Sequence, residues 1–164
     1  MAYLLDANVL IEAKNRYYGF DVCPGFWEWL DAANAARTVF SIDKVRDELI
    51  VYGDELAHWA KARGGNFFLK PDEAIAPSLR EISGWASSGE YEPAAVTTFL
   101  EAADYYLVAH AHAHGFDVVT HELPSDSRKR IKIPDACLHR DVKYMSTWEM
   151  LRAEGARFAL QVSP

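Results

Sequence analysis

The chain has 164 residues, half of them hydrophobic, which is the usual size of one domain and enough apolar material for a sizeable core. Seventeen Lys and Arg against 24 Asp and Glu leave a net charge of −7, which argues against a protein that coats DNA through a broad basic face. Only Cys23 and Cys137 occur, so a disulfide framework is not expected; with neither a signal-peptide pattern at Met1-Ala2-Tyr3 nor a run near the roughly 18 apolar residues of a membrane span, the expectation is a cytoplasmic protein that does not enter membranes.

Tyr3-Leu4-Leu5 is a short apolar run that stops at Asp6-Ala7-Asn8, the pattern of a buried strand feeding a loop and then a helix from about Val9. Pro24 opens an amphipathic stretch to Ala36 carrying Phe26, Trp27, Trp29 and Leu30 at helical spacing, and residues 38–41 read as a second strand. Asp43 is read as the cap of a helix to about Tyr52 and Asp54 as the start of another to Arg63, with a third strand at residues 66–69. Residues 72–86 and 93–114 are predicted helical, the second as one long helix ended by Gly115. A fourth strand at 117–120, a short helix at 134–139, an edge strand near 142–145 and a helix capped by Ser146 or Thr147 complete the chain. There is no internal repeat and no linker, so one domain is expected throughout. Strand-helix alternation predicts an α/β fold, a three-layer α/β/α sandwich around a mainly parallel sheet, because parallel strands need crossover connections. In such sheets ligands bind beyond the carboxyl ends of the strands.

Carboxylates stand where the periodicity asks for apolar residues. Asp104 shares a stripe with Leu100, Ala103, Leu107, Val108 and Ala111, and Glu48 falls between Val45, Leu49 and Tyr52, read as the buried side of its helix. Burial of an isolated ionised carboxylate costs several kcal/mol at least, so such a group must be protonated, paired or bound to metal. Asp6 and Glu122 lie at the ends of the first and fourth predicted strands and bring the acids to four. Hard divalent ions such as Mg²⁺ or Mn²⁺ prefer carboxylate and water oxygen, and they leave positions open for a substrate phosphate. Such a site can activate a water and neutralise charge on phosphate. The plainer readings are that Asp6 and Asn8 cap the first helix, Asp104 is a hydrogen-bonded structural residue, and Glu48 and Glu122 are solvated.

The segments that carry these acids resemble the PIN-domain nuclease family. Tyr3-Leu-Leu-Asp-Ala-Asn-Val-Leu-Ile11 resembles the family's opening strand with its metal-binding Asp and a small polar supporting residue, here Asn8. Val45-Arg-Asp-Glu-Leu49, Ala103-Asp-Tyr-Tyr-Leu-Val-Ala-His-Ala111 and Val118-Val-Thr-His-Glu122 resemble, in order, the segments bearing the other three acids. The family usually has Asp at the last position, where this chain has Glu122; Asp126 and Asp135 are the alternatives, and Lys132-Ile-Pro-Asp-Ala136 resembles a segment of a poorly characterised PIN-like branch. The resemblance implies a metal-dependent endoribonuclease, with Asp6, Glu48, Asp104 and Glu122 holding Mg²⁺ or Mn²⁺ and with Thr120 or Asn8 in support. It further implies the toxin role of a toxin-antitoxin pair, an antitoxin protein partner and a possible homodimer.

Arg128, Lys129, Arg130 and Lys132 follow Glu122 closely and are candidates to grip an RNA backbone. His110 and His114 share a helix face at the spacing of some zinc sites, but no third ligand is evident. The aromatic residues are read mainly as core, with Tyr18, Trp27 or Trp29 as candidates for a partner surface. The non-enzymatic alternative is a PIN-like binding module whose changed fourth acid has removed catalysis. A phosphatase using Asp6 as nucleophile is disfavoured because Asn8 stands where that chemistry has a second Asp.

Overall fold

A computed structural model describes residues 1–162. Five strands, β1 (Tyr3–Leu5), β2 (Val39–Ile42), β3 (Phe68–Leu69), β4 (Asp117–Val119) and β5 (Tyr144–Met145), form one sheet in the order β3-β2-β1-β4-β5. Every pairing is parallel. The strands are short and buried along β1, β2 and β4, as expected when both faces of a sheet are covered. Helices flank the sheet in a three-layer α/β/α sandwich.

The strand order decides where a site can form. Connections run outward from β1 to β2 and β3; the chain then returns to the other side of β1 for β4 and continues to β5. The direction of winding reverses between β1 and β4, so the loops leaving these neighbours diverge and open a crevice at their carboxyl ends. The register pairs Leu5 with Val119, and Asp6 N–H continues the ladder by donating to Val119 O at 3.1 Å. Asp6 and Thr120 are thereby the first residues past the sheet on adjacent strands.

After β1 come α1 (Ala7–Glu12), a π-helical turn (Ala13–Tyr17) and α2 (Pro24–Ala35). Between β2 and β4 lie α3 (Asp43–Ile50), α4 (Glu55–Lys61), α5 (Ala76–Ala86), α6 (Pro93–Glu101) and α7 (Ala103–His114). Two more helices, α8 (Ile133–His139) and α9 (Thr147–Ala153), lead into and follow β5. Local chemistry sets several ends. Asp54 accepts from Ala57 N–H, Ser146 and Glu149 form a reciprocal capping box, and Gly115 closes α7 at φ 73°, a conformation that favours glycine.

Three expectations need correction. The stretch 93–114 is two helices, because Ala102 takes an extended ψ of 157° and breaks it; Asp104 therefore sits in the first turn of α7. No Gly or Pro marks this junction. At the junction Ala103 N–H, one of the donors a helix start leaves without an intrahelical partner, donates to Glu48 Oε1 at 3.4 Å. Asp43 is the first residue of α3 and Ile42 its N-cap. Tyr52 lies beyond α3 and is 68% exposed, so it does not continue the buried side formed by Val45 and Leu49, and Glu48 is exposed with it.

The core joins Leu4, Leu5, Leu10, Phe40, Leu49, Leu107, Val108 and Val118 into one cluster, with Trp27 buried in it rather than on a partner surface. Both cysteines are free. No helix among the described residues is long and apolar enough to cross a membrane. Leu107 is fully buried on α7, three residues after Asp104. Leu107→Ala should lower the unfolding free energy by about 2–5 kcal/mol, the range for an incompletely collapsing cavity. Urea denaturation followed by circular dichroism measures this, and a loss well under 1 kcal/mol would contradict the central position given to α7.

Candidate active site

Asp6 is the anchor of the site. It is 2% exposed, and both carboxylate oxygens are occupied: Oδ1 accepts from Val9 N–H at 2.9 Å, capping α1, and Oδ2 accepts from the Thr120 hydroxyl at 2.6 Å. The helix-capping reading of Asp6 is therefore correct as geometry. It does not exhaust the residue, since each carboxylate oxygen has a second lone pair. Thr120 also accepts from Glu122 N–H at 3.1 Å, so one hydroxyl links the two acids that follow β1 and β4. Ser41, not anticipated from sequence, donates to Leu5 O at 2.7 Å and ties the end of β2 to that of β1.

The other acids come from elements packed around this point. Burial, opposed by the Thr120 and Val9 hydrogen bonds and reinforced by the charge of Glu122, pushes the Asp6 carboxyl up to about 6. Asp104 is pushed up to about 7, first by burial and then by Asp6, Glu122 and Glu48, with Arg130 acting in the opposite direction. The four acids singled out in sequence therefore share one electrostatic neighbourhood. Glu122 enters it with a side chain 11% exposed; Arg130 lies 3.7 Å from its Oε1, while its Oε2 is buried without a hydrogen-bond partner. Glu48 stands at the rim.

Two clefts meet at Asp104. One, of about 390 Å³, is lined by Asp6, Asn8, Ile11, Glu48, Tyr52 and Asp104 among others. The second, of about 320 Å³, has Thr98, Phe99 and Asp104 on one side and Lys129, Arg130 and Ile131 on the other. Asn8 is an exposed wall of the first cleft. Arg128 donates to Gly89 O at 2.9 Å and its own carbonyl accepts from Glu92 N–H, so this residue holds the basic loop against the connection between α5 and α6. Lys129 and Arg130 are thereby presented to the cleft. Lys132 is the N-cap of α8.

The alternatives for the fourth acid fall elsewhere. Asp135 accepts from Ser125 N–H at 3.0 Å and Lys132 N–H at 3.1 Å, so it organises the loop and the start of α8. Asp126 is exposed in that loop. The histidines have structural partners. His112 Nδ1 lies 2.6 Å from Ser78 Oγ, and Arg140 donates to its Nε2 at 3.1 Å. Because arginine only donates, this His112 carries its proton on Nδ1 and gives it to Ser78. His114 pairs with Asp72 at 2.9 Å.

The donor chemistry suits a hard divalent cation: every candidate ligand is a carboxylate oxygen, and one of them is buried without a partner. The side chains nevertheless stand apart. Among the described residues no three His, Cys, Asp or Glu side chains form a group spaced to hold a metal ion.

Residues 3–158 match a domain family of unknown function, DUF4411. The chain belongs to the DUF4411 family. No curated protein matches it. The match spans β1 through the segment after α9, so all four acids, Thr120 and the basic loop lie inside this DUF4411 domain.

The two raised carboxyls bind protons more tightly folded than unfolded, so their contribution to stability is present at low pH and is lost as the pH rises through about 6 and about 7. Asp104→Asn removes one such charge. In EDTA, the stability of D104N relative to the unsubstituted protein should increase from pH 5 to pH 8, measured by urea denaturation at each pH. A difference that stays constant with pH would show that burial and the neighbouring acids together do not raise the Asp104 carboxyl.

Proposed function

We propose that this DUF4411 domain is a metal-dependent endoribonuclease hydrolysing RNA phosphodiester bonds, with its site at the carboxyl ends of β1 and β4. One observation carries the reading: Asp104, at the start of α7, lines both a cleft shared with Asp6 and Glu48 and a cleft walled by Lys129 and Arg130, and the charges of Asp6, Glu122 and Glu48 add to burial in pushing its carboxyl up. Mutual repulsion of this kind has a use where a doubly charged ion and a phosphate meet. The resemblance of the four acid-bearing segments to PIN-domain nucleases supports the same reading.

Asp6, Glu48, Asp104 and Glu122 would hold Mg²⁺ or Mn²⁺, which when bound supplies charge neutralisation at the phosphate and an activated water. Thr120 fixes the Asp6 carboxylate by its hydrogen bond and carries no charge of its own. Lys129 and Arg130 stand on the far wall of the second cleft, where contacts to flanking phosphates position a strand without reading its sequence. Arg130 also offsets the repulsion at Asp104 and faces Glu122. With a net charge of −7 on the chain, this local basic wall is what admits a polyanion to an acidic site. The toxin role, an antitoxin partner, a homodimer and a cytoplasmic location belong to the same proposal and rest on the PIN resemblance and the sequence expectations.

The separate placement of the carboxylates favours a second reading, a PIN-like module that binds RNA or protein without cleaving it.

Purified protein is incubated with mixed RNA and Mn²⁺ or Mg²⁺, beside D6N and D104N. Cleavage by the unsubstituted chain should fall in each variant by more than the roughly 10–100-fold that loss of a supporting residue causes at a metal site. Mn²⁺ should also raise its melting temperature and fail to do so for D6N. Equal cleavage by all three proteins would refute the assignment, and RNA binding without turnover would favour the second reading.

A further inference from the structure

Beside the acidic site lies an aromatic corner that its chemistry does not use. His121, the residue between Thr120 and Glu122, stacks on Trp148 of α9 with ring centroids 4.9 Å apart and planes 5° from parallel. Its Nε2 lies 2.7 Å from Thr147 Oγ1, which fixes the ring. Tyr17 stands at right angles to both: 5.1 Å and 83° from Trp148, 6.0 Å and 84° from His121. The three rings thus form a right-angled corner, not a groove.

Its construction departs from simple packing. Tyr17 ends the π-helical turn, where Tyr18 N–H reaches back five residues to Ala13 O at 2.7 Å. Such turns are rare and appear often at functional sites. Ala13 is the only buried residue of that turn, and Tyr17 is left 45% exposed. Arg16 beside Tyr17 has a side chain 70% exposed but pairs with Glu12 at 3.2 Å, whereas exposed Arg152 lies four residues after Trp148 on the same face of α9. Aromatic rings flanked by guanidinium groups are the chemistry that takes up unpaired bases together with their phosphates.

We infer that Tyr17, His121 and Trp148 form a stacking subsite for an unpaired nucleobase of a single-stranded RNA, next to the phosphate held at the acids. The inference rests on the proposed ribonuclease reading and names the feature of the substrate that the site selects. The link is the backbone: Glu122 and His121 are consecutive, their Cα atoms about 3.8 Å apart, so one short segment serves both subsites. Tyr17, 45% exposed, offers ring surface on which a base can lie flat, its plane then perpendicular to those of Trp148 and His121. Arg152 offers charge to an adjoining phosphate, and Arg16 can do so only by exchanging its Glu12 partner. A paired base cannot enter, because its faces are already stacked in the helix.

The test measures binding by fluorescence anisotropy of a dye-labelled single-stranded RNA of about ten nucleotides, within the range of single-strand sites, in Ca²⁺ and for the whole chain. Tyr17→Leu should weaken binding roughly 5–150-fold, the range for loss of one base–aromatic stack. Tyr17→Phe, which keeps the ring, should bind within about twofold of the unsubstituted protein, below that range. A duplex of the same sequence should bind Y17L and the unsubstituted protein alike. If Y17L binds single strands normally while the unsubstituted chain cleaves RNA, the stacking inference is wrong, the nuclease reading survives, and the corner is left to a protein partner. Equal losses in Y17L and Y17F would overturn stacking in favour of a role for the hydroxyl. If the unsubstituted chain neither binds nor cleaves RNA, the nuclease reading fails and takes this subsite with it.

Discussion

The hydrogen bond from Thr120 to Asp6 crosses from β4 to β1 at the place where the sheet reverses its winding, and the geometry of the site depends on it. The bond needs the two strands to be neighbours, parallel and in the register that sets Leu5 against Val119. Given that register, a buried carboxylate is held from two sides, by Thr120 and by the first turn of α1. The arrangement is costly. Burying a carboxyl among other carboxyls raises its affinity for protons, as seen at Asp6 and Asp104, and a chain selected for stability alone would place apolar residues there.

The break between α6 and α7 extends the same constraint. An unbroken helix would put Asp104 in mid-helix, whereas the break presents it in the first turn of α7, where the helix dipole favours negative charge. Glu48 meets the N–H of Ala103 at that same helix start, so α3 and α7 are joined through an acid of the site. Acid cluster and helix packing are in this sense one structure. The basic loop is positioned independently, by Arg128 on the α5–α6 connection and by Asp135 at the head of α8. Its cations nevertheless share their segment with one acid, Glu122, which begins the same loop and faces Arg130.

Asp6 and Asp104 were legible because each contradicts its surroundings: an acid after an apolar strand, and an acid on an apolar stripe. Periodicity misplaces Glu48, since Tyr52 does not lie on the buried side with Val45 and Leu49; Glu48 lines the cleft from its rim. Glu122 is named from its place just after β4, with Asp126 in the following loop and Asp135 in α8 as alternatives. The fold separates them by giving Asp135 two backbone N–H groups and leaving one oxygen of Glu122 buried without a partner. Ser41 and the corner of Tyr17, His121 and Trp148 carry no signal at all in one dimension.

Composition, apolar runs and turn residues were sufficient for the α/β class, the five strands and most helix limits, because those features follow from periodicity and capping within a few residues of each position. Which strands lie side by side, where the long helical stretch breaks, and which charged groups face one another were decided only in the folded chain. These depend on contacts between residues as far apart as Asp6 and Thr120, or Glu48 and Ala103, and no local pattern encodes the energy of two groups until packing brings them together.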